Sequence, residues 1–176
     1  YDEAFRNLKY VETIHFSYNS KLNEIQSNAF SSSSLEYIFI PKSVKKIGED
    51  AFSGCQNLNT IIFEPNSELN YIGKCAFRNS SISSLSIPSN YIEFDEDWCY
   101  WSTNLFQIEV SRSIQNCICL YENQLLLMKD DPKSDIFDIL LLAPRNITSA
   151  KIPPFIKKIS PLAFHCCRSL KKVEFT

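Results

Sequence analysis

The chain has 176 residues and a formal net charge of −2 at pH 7, and 44% of its residues are hydrophobic. This length and apolar content suffice for one domain with a continuous core. The near-balanced charge excludes a general attraction to nucleic acid or to an anionic membrane surface, and no run approaches the ~20 apolar residues of a membrane-spanning helix.

Short apolar triplets of the form [V/L/I]-x-x-[I/L/V/A]-x-[F/I/V] recur from the start of the chain to its end. Their first members are separated by 24, 23, 24, 23, 42 and 23 residues. A fixed period in this range indicates stacked units that cannot bury their apolar faces singly. We expect each triplet to form a short β-strand with its apolar side chains pointing inward. In chain order, the triplets are Val11/Ile14/Phe16, Leu35/Ile38/Ile40, Leu58/Ile61/Phe63, Ile82/Leu85/Ile87, Leu105/Ile108/Val110, Ile147/Ala150/Ile152 and Leu170/Val173/Phe175.

Two further apolar series keep the same period. One consists of pairs that run from Leu22/Ile25 to Ile156/Ile159. The other is mostly aromatic and contains Phe5, Phe30, Phe52, Phe77, Cys99 and Phe164. Three apolar series with the same period indicate that each coil has three edges. At each edge, the apolar residue stacks on its counterpart in the preceding coil. The sequence therefore predicts a leucine-rich-repeat solenoid, a curved right-handed coil with a short-stranded parallel β-sheet on one face and turns and short helical segments elsewhere.

The period is interrupted once, between Val110 and Ile147. Two apolar runs, 124–128 and 136–144, flank a polar stretch there, a pattern typical of a β-hairpin with a longer loop. This segment is either a coil variant within the stack or a loop whose charged tip contacts a partner. We expect leucine-rich repeats over 1–110, a β-hairpin insertion over 111–146 and a repeat over 147–176. Neither end shows a polar cap, so we expect a fragment of a longer protein.

The phrases that run from Ile40 to Leu58 and from Ile152 to Leu170 resemble the BspA-like (bacterial surface antigen type) leucine-rich-repeat family. The resemblance implies that the hairpin stacks against the solenoid edge. It also implies a non-catalytic protein-interaction module of a cell-surface or secreted adhesin-like protein, with a host matrix or cell-surface protein as the partner. Two alternatives stay open. One is an intracellular, cytoplasmic scaffold or regulatory protein, and the other is the recognition arm of a larger enzyme.

Residues suited to catalysis or metal binding are sparse. The chain has two histidines and three glycines, and it lacks the G-x-S-x-G and H-E-x-x-H motifs. His165 precedes Cys166, but sequence neighbours rarely have the geometry of a thiol and base pair. The acidic cluster Glu93, Asp95, Glu96 and Asp97 lacks calcium-loop spacing. We therefore expect no catalytic residue, no cofactor and no metal, and we expect most of the seven cysteines to be buried, reduced thiols.

Strand alternation sends the residues between the apolar positions to the open face of the sheet. The candidate partner-binding residues on that face are His15, Tyr37, Phe39, Thr60, Ile62, Ser84, Ser86, Gln107 and Glu109. Three of them, Tyr37, Phe39 and Ile62, are predicted to form an exposed apolar patch. Such a patch indicates either a binding surface or the ordinary preference of strands for aromatic and β-branched residues.

Two sequons permit N-glycosylation on a eukaryotic secretory route. They are Asn79-Ser80-Ser81 and Asn146-Ile147-Thr148.

Overall fold

The structure, a computed structural model, describes residues 3–17, 19–95, 97–111, 116–122 and 124–176. These residues contain fourteen β-strands, several of them only two residues long. In chain order the strands are β1 (Glu24–Ile25), β2 (Tyr37–Ile40), β3 (Lys46–Ile47), β4 (Thr60–Phe63), β5 (Tyr71–Ile72), β6 (Ser84–Pro88), β7 (Glu93–Phe94), β8 (Gln107–Ser111), β9 (Ile118–Tyr121), β10 (Leu125–Met128), β11 (Ile139–Leu142), β12 (Ser149–Ile152), β13 (Lys158–Ile159) and β14 (Lys172–Phe175).

The predicted triplet strands form a parallel sheet in the order β2-β4-β6-β8. Ile38 lies beside Ile61, which lies beside Leu85, and all three side chains are buried. The intervening residues point away from the core, as period-two alternation requires. The leucine-rich-repeat solenoid is therefore confirmed. The first triplet packs against the core without forming a regular strand.

A second parallel sheet, β1-β3-β5-β7, forms another edge of the coils. Its strands belong to the Leu22/Ile25 series, and Ile25, Ile47 and Ile72 are buried in it. Each coil thus contributes a longer strand to one sheet and a two-residue strand to the other.

The aromatic series forms the third edge as a column of stacked rings. Ring centroids are 5.2 Å apart between Phe5 and Phe30, 5.2 Å between Phe30 and Phe52, and 5.4 Å between Phe52 and Phe77. The planes of these rings differ by 4° to 11°. Trp98 ends the column, because its ring meets Phe77 edge-on at 6.3 Å.

The prediction of short helical segments is wrong for the described residues, in which this aromatic edge consists of turns. Ala29 N donates within its own turn to Gln26 O at 3.2 Å, whereas Phe30 N donates to Ala51 O of the next coil at 2.8 Å. A helix needs every amide for bonds along its own axis. Here alternate amides join neighbouring coils instead, and Asn28 takes a left-handed conformation with φ of 56° that breaks a helix.

The interruption contains the predicted hairpin, since β10 pairs with β11 in antiparallel orientation with an irregularity between Leu126 and Leu127. The sequence missed a third strand, β9, which pairs with the other side of β10. On its far side β11 pairs in parallel with β13, so the insertion joins the stack of coils. The final triplets form the parallel pair β12 and β14, where Val173 and Phe175 on the outer coil are exposed.

Candidate protein-binding face

The register of the larger sheet places the predicted partner-binding residues in two parallel rows. One row runs Tyr37, Thr60, Ser84, Gln107, and the other runs Phe39, Ile62, Ser86, Glu109. Neighbouring strands in a sheet lie about 4.8 Å apart, so adjacent side chains in each row are close enough to form one continuous surface. The structure brings all eight of these residues together on one face.

Three large side chains make one end of this face apolar. Tyr37 is 36% exposed, Phe39 is 40% exposed and Ile62 is 41% exposed. We call these three residues the apolar strip. The exposed His15 extends it toward the start of the chain, because the His15 ring lies 6.4 Å from that of Tyr37 in an edge arrangement.

The other end of the face is polar, and its side chains bond to one another. Gln107 Nε2 donates to Glu109 Oε1 at 2.7 Å, and the Ser86 and Ser111 hydroxyls lie 3.1 Å apart. These contacts fix the orientation of the polar groups before any partner arrives. The face therefore changes from apolar to polar along the stack of coils.

A cleft at the carboxyl ends of β2 and β4 adjoins the apolar strip, and the sequence did not predict it. It has a volume of about 440 Å³ and is lined by Phe16, Ser17, Phe39, Pro41, Lys42, Glu64, Pro65 and Asn66. Its rim is held by a bond from Lys42 N to Glu64 Oε2 at 2.8 Å. Two prolines are the signal that could have located the cleft. Pro41 directly follows the triplet that ends at Ile40, and Pro65 lies two residues after the triplet that ends at Phe63. Prolines there end the strands and leave apolar walls.

The edge formed by β1, β3, β5 and β7 is charged and internally paired. Lys46 Nζ lies 3.1 Å from Glu24 Oε1 and 5.4 Å from the Tyr71 ring centre. The Tyr71 hydroxyl donates to Asp95 Oδ2 at 3.0 Å, and this bond is the main reason that the pKa of Tyr71 is raised. These paired, solvated charges contrast with the apolar strip on the neighbouring face.

The acidic cluster lies near this charged edge, except that Glu96 is outside the described residues. Within the part of the chain that the structure describes, no group of three or more His, Cys, Asp or Glu side chains is arranged to hold a metal ion. Nor does that part contain a helix long and apolar enough to cross a membrane.

Both sequon asparagines, Asn79 and Asn146, are exposed. Asn79 has a left-handed backbone with φ of 50° at a turn, and its amide donates to Tyr100 O at 2.8 Å. Both side chains are thus sterically available to a glycosyl donor, and their modification stays a prediction.

The seven cysteines are all free thiols, and four of them, Cys55, Cys75, Cys99 and Cys117, are buried. Contrary to the expectation from their adjacency, Cys166 Sγ lies 3.1 Å from His165 Nδ1. The sequence also gave no sign that Arg145 is buried nearby, with 3% of its surface exposed. Arg145 Nη2 donates to Cys99 Sγ at 3.6 Å, in a part of the core distinct from the protein-binding face.

Stacked coils with a parallel sheet of triplet strands and a column of phenylalanines define a leucine-rich-repeat β-solenoid. The chain belongs to the BspA type leucine rich repeat family, whose sequence profile matches six copies over residues 1–106 and 141–176. No curated protein matches the sequence significantly.

Three solved structures share the fold. The chain is 28% identical to the pneumococcal vaccine antigen PcpA, with a TM-score of 0.85 over 99% of this chain and 42% of that one. It is 23% identical to a leucine-rich repeat protein from Eubacterium ventriosum, with a TM-score of 0.62 over 90% of this chain and 46% of that one. It is 19% identical to a leucine rich cell surface protein from Faecalibacterium prausnitzii, with a TM-score of 0.65 over 99% of this chain and 57% of that one. The chain therefore spans less than two thirds of each of these proteins.

Proposed function

We propose that this chain is a non-catalytic protein-interaction module of a cell-surface or secreted adhesin-like protein, and that its partner is a host matrix or cell-surface protein. The fold supports the first part, because a rigid sheet presents side chains to a partner at fixed spacing. The likeness to a vaccine antigen supports the location.

The apolar strip is the observation that carries the proposal. Tyr37, Phe39 and Ile62 lie side by side with more than a third of each side chain exposed. Adjacent apolar side chains on an open sheet mark protein interfaces, where aromatic residues contribute most of the binding energy. The cleft beside Phe39 gives a partner side chain a place to enter.

The test is a binding measurement with a matched control. Purified wild-type chain, the double variant Tyr37→Ser/Phe39→Ser and the control Phe155→Ser are applied to immobilised collagen, fibronectin and laminin and to fixed epithelial cells. Phe155 is 40% exposed and lies far along the stack from the strip. We expect the double variant to lose at least about tenfold in affinity, as hot-spot residues do, while the control binds like wild type. Equal binding by all three proteins, or none by the wild type, would contradict the proposal.

The free thiols favour a second candidate, an intracellular scaffold or regulatory protein, because disulfides are rare in reducing compartments. Mass spectrometry of the native protein separates the two locations. Glycans on Asn79 or Asn146 support the secretory route, whereas bare asparagines with seven alkylatable thiols support the cytoplasm. A third candidate, the recognition arm of a larger enzyme, is tested by sequencing the full gene.

A further inference from the structure

The regular pairing of the coils stops after β7. The sheet β1-β3-β5-β7 ends there, and β11 and β13 belong to a different sheet. Up to β7, successive coils donate an amide to the coil before them, as Asp95 N does to Ile72 O at 2.9 Å. Ser160 N, which follows β13, donates instead to Leu140 O of the insertion at 2.9 Å. The insertion therefore lies where the next coil would pair with β7, and a cavity opens at this break.

The cavity has a volume of about 340 Å³. One wall is Phe94 of β7 with the turn that follows it, and another is the turn after β13. Leu141 of β11 completes the lining between these elements in the chain. Pockets that hold small ligands begin at about 300 Å³, so the break is large enough for one.

Most of the lining is apolar. The rings of Phe94 and Trp98 pack together with their centroids 5.0 Å apart. Trp98, Leu141 and Leu162 are buried and belong to the larger hydrophobic core. A hydrocarbon group that entered the cavity would displace water from this surface, which is favourable.

Two carboxylates belong to the wall after β7. Asp95 lies where the preceding coil has Gly73, since both amides donate to the residue that ends the two-residue strand before them. Its Oδ2 accepts from the Tyr71 hydroxyl at 3.0 Å, and this bond orients the carboxylate. Asp97 precedes Trp98 in the same wall. Among the described residues, the lining contains no basic side chain.

Basic residues beside the walls do not neutralise these carboxylates. Arg145 is buried outside the lining, where its Nη1 donates to Leu162 O at 3.2 Å. Lys158 Nζ bonds to Asp130 Oδ2 at 2.6 Å. Burial, and then the charge of Arg145, lowers the pKa of His165, so this ring is neutral at neutral pH. The lining therefore keeps its negative charge.

We propose that this cavity binds a small organic amine, with the hydrocarbon chain against Trp98 and Leu162 and the ammonium group against Asp95 and Asp97. An apolar interior with carboxylates at one wall is complementary to a cation on a hydrocarbon chain and repels an anion. The cavity shares no lining residue with the apolar strip or with the cleft beside it, so this proposal does not rest on the proposed function.

The probe is pentylamine, titrated into the full chain in an isothermal calorimeter at neutral pH, where the amine carries its proton. Pentanol and pentanoate are the matched ligands, because they keep the hydrocarbon chain but carry no charge or a negative one. We expect pentylamine to bind at least about tenfold more tightly than either, since it alone is attracted to the carboxylates. Added salt should weaken its binding, because part of the attraction is electrostatic.

Asp97→Asn removes one of the two charges, and Asp50→Asn is its matched control. Asp50 occupies the equivalent turn position in an earlier coil, with φ of 52° against 55° for Asp97, and does not line the cavity. Asparagine adopts this left-handed conformation readily, so both variants should fold, which circular dichroism checks. We expect Asp97→Asn to weaken pentylamine binding at least about fivefold through the loss of a charge-assisted contact, and Asp50→Asn to leave it unchanged.

A second variant, Ser160→Lys, places an ammonium group of the chain itself in the cavity and should abolish pentylamine binding. The proposal is overturned if pentylamine does not bind, if pentanol binds as tightly, if Asp97→Asn binds like Asp50→Asn, or if Ser160→Lys binds like wild type. Displacement of pentylamine by calcium chloride would identify a metal site instead. Tighter binding of a blocked glycine-lysine-glycine peptide would assign the cavity to a lysine of a protein partner. Either result would also overturn the proposal.

Discussion

Phe52 stacks on Phe77 with ring centroids 5.4 Å apart and planes within 11° of parallel, and both rings are almost fully buried. The two residues belong to successive coils, so each ring covers the face that its neighbour would otherwise expose to water. This column of rings forms one edge of the coils, and the sheets β2-β4-β6-β8 and β1-β3-β5-β7 form the other two. All three edges hold the coils together. Offset stacking of buried rings contributes about 0.5 to 1.5 kcal/mol beyond the burial of area.

Truncating the middle of the column should be costly. We expect Phe52→Ala to lower the free energy of unfolding by about 3 to 5 kcal/mol, since a large buried ring is lost and a cavity remains. Urea denaturation followed by circular dichroism measures this. Phe5→Ala is the matched control, because Phe5 stacks on Phe30 but is 44% exposed, and it should cost clearly less. Similar losses for both variants would show that the column does not carry the stability.

Truncation of two adjacent residues on strand β2 should destabilise the chain to very different extents. Ile38 is fully buried and Phe39 is 40% exposed, so Ile38→Ala should cost about 2 to 5 kcal/mol. Phe39→Ala should cost no more than about 1 kcal/mol, the range of cross-strand pairs on an open face. Thermal melts of the two variants compare them directly. A larger loss for Phe39→Ala than for Ile38→Ala would mean that the facing of the sheet is reversed.

Two glycines allow neighbouring coils to approach closely. A Cβ at Gly48 would lie 2.7 Å from Ser27 N, and one at Gly73 would lie 2.8 Å from Glu49 N. Backbone atoms cannot move aside without breaking the bonds between coils, such as Gly48 N to Ile25 O at 2.8 Å. We expect Gly48→Ala to destabilise the chain by about 1 to 3 kcal/mol through overpacking.

The control for this substitution is the exposed Ser149→Ala on the open face of β12, which should be close to neutral in the same urea titration. If Gly48→Ala is as stable as Ser149→Ala, the coils are less tightly apposed than the contact at Gly48 indicates.

Asp138 should make the stability of the insertion depend on acid pH. Its Oδ1 accepts from Asp130 N at 3.0 Å and its Oδ2 lies 3.2 Å from Lys157 Nζ. The bond from the Asp130 amide is the main cause that lowers the pKa of Asp138, with the Lys157 contact contributing. Because folding favours the carboxylate, its contribution is present above the unfolded pKa, about 3.9, and is lost as the pH falls through the lower folded pKa.

We therefore expect Asp138→Asn to cost about 1 to 2 kcal/mol at pH 7 and progressively less below pH ~4. Melts of both proteins from neutral pH to pH ~2 measure the difference. A difference that stays constant across this range would mean that the carboxylate charge is not responsible. Asp135→Asn, which alters an exposed residue of the same loop, is the control.

The sequence was sufficient to predict the coil, the inward triplets, the aromatic column and the two rows of outward residues. Those features follow from periodicity, because a repeat of fixed length places each residue beside its counterpart in the next coil. Tyr37 beside Thr60 and Phe39 beside Ile62 are consequences of that register alone. The hairpin was also predictable, since its two apolar runs are local features.

Other features were decided only by the tertiary structure. Among the described residues, the aromatic edge forms turns instead of helices because its amides donate to the next coil, as Phe30 N does to Ala51 O, and no local propensity encodes these bonds. The cleft beside Phe39 lies among the regular coils, and its walls meet only when the segments after the strands pack together. The strand β9 and the position of Arg145 against Cys99 depend on how side chains pack where the repeat is interrupted. Where the period is lost, neighbours in space are no longer a fixed number of residues apart, and packing alone selects them.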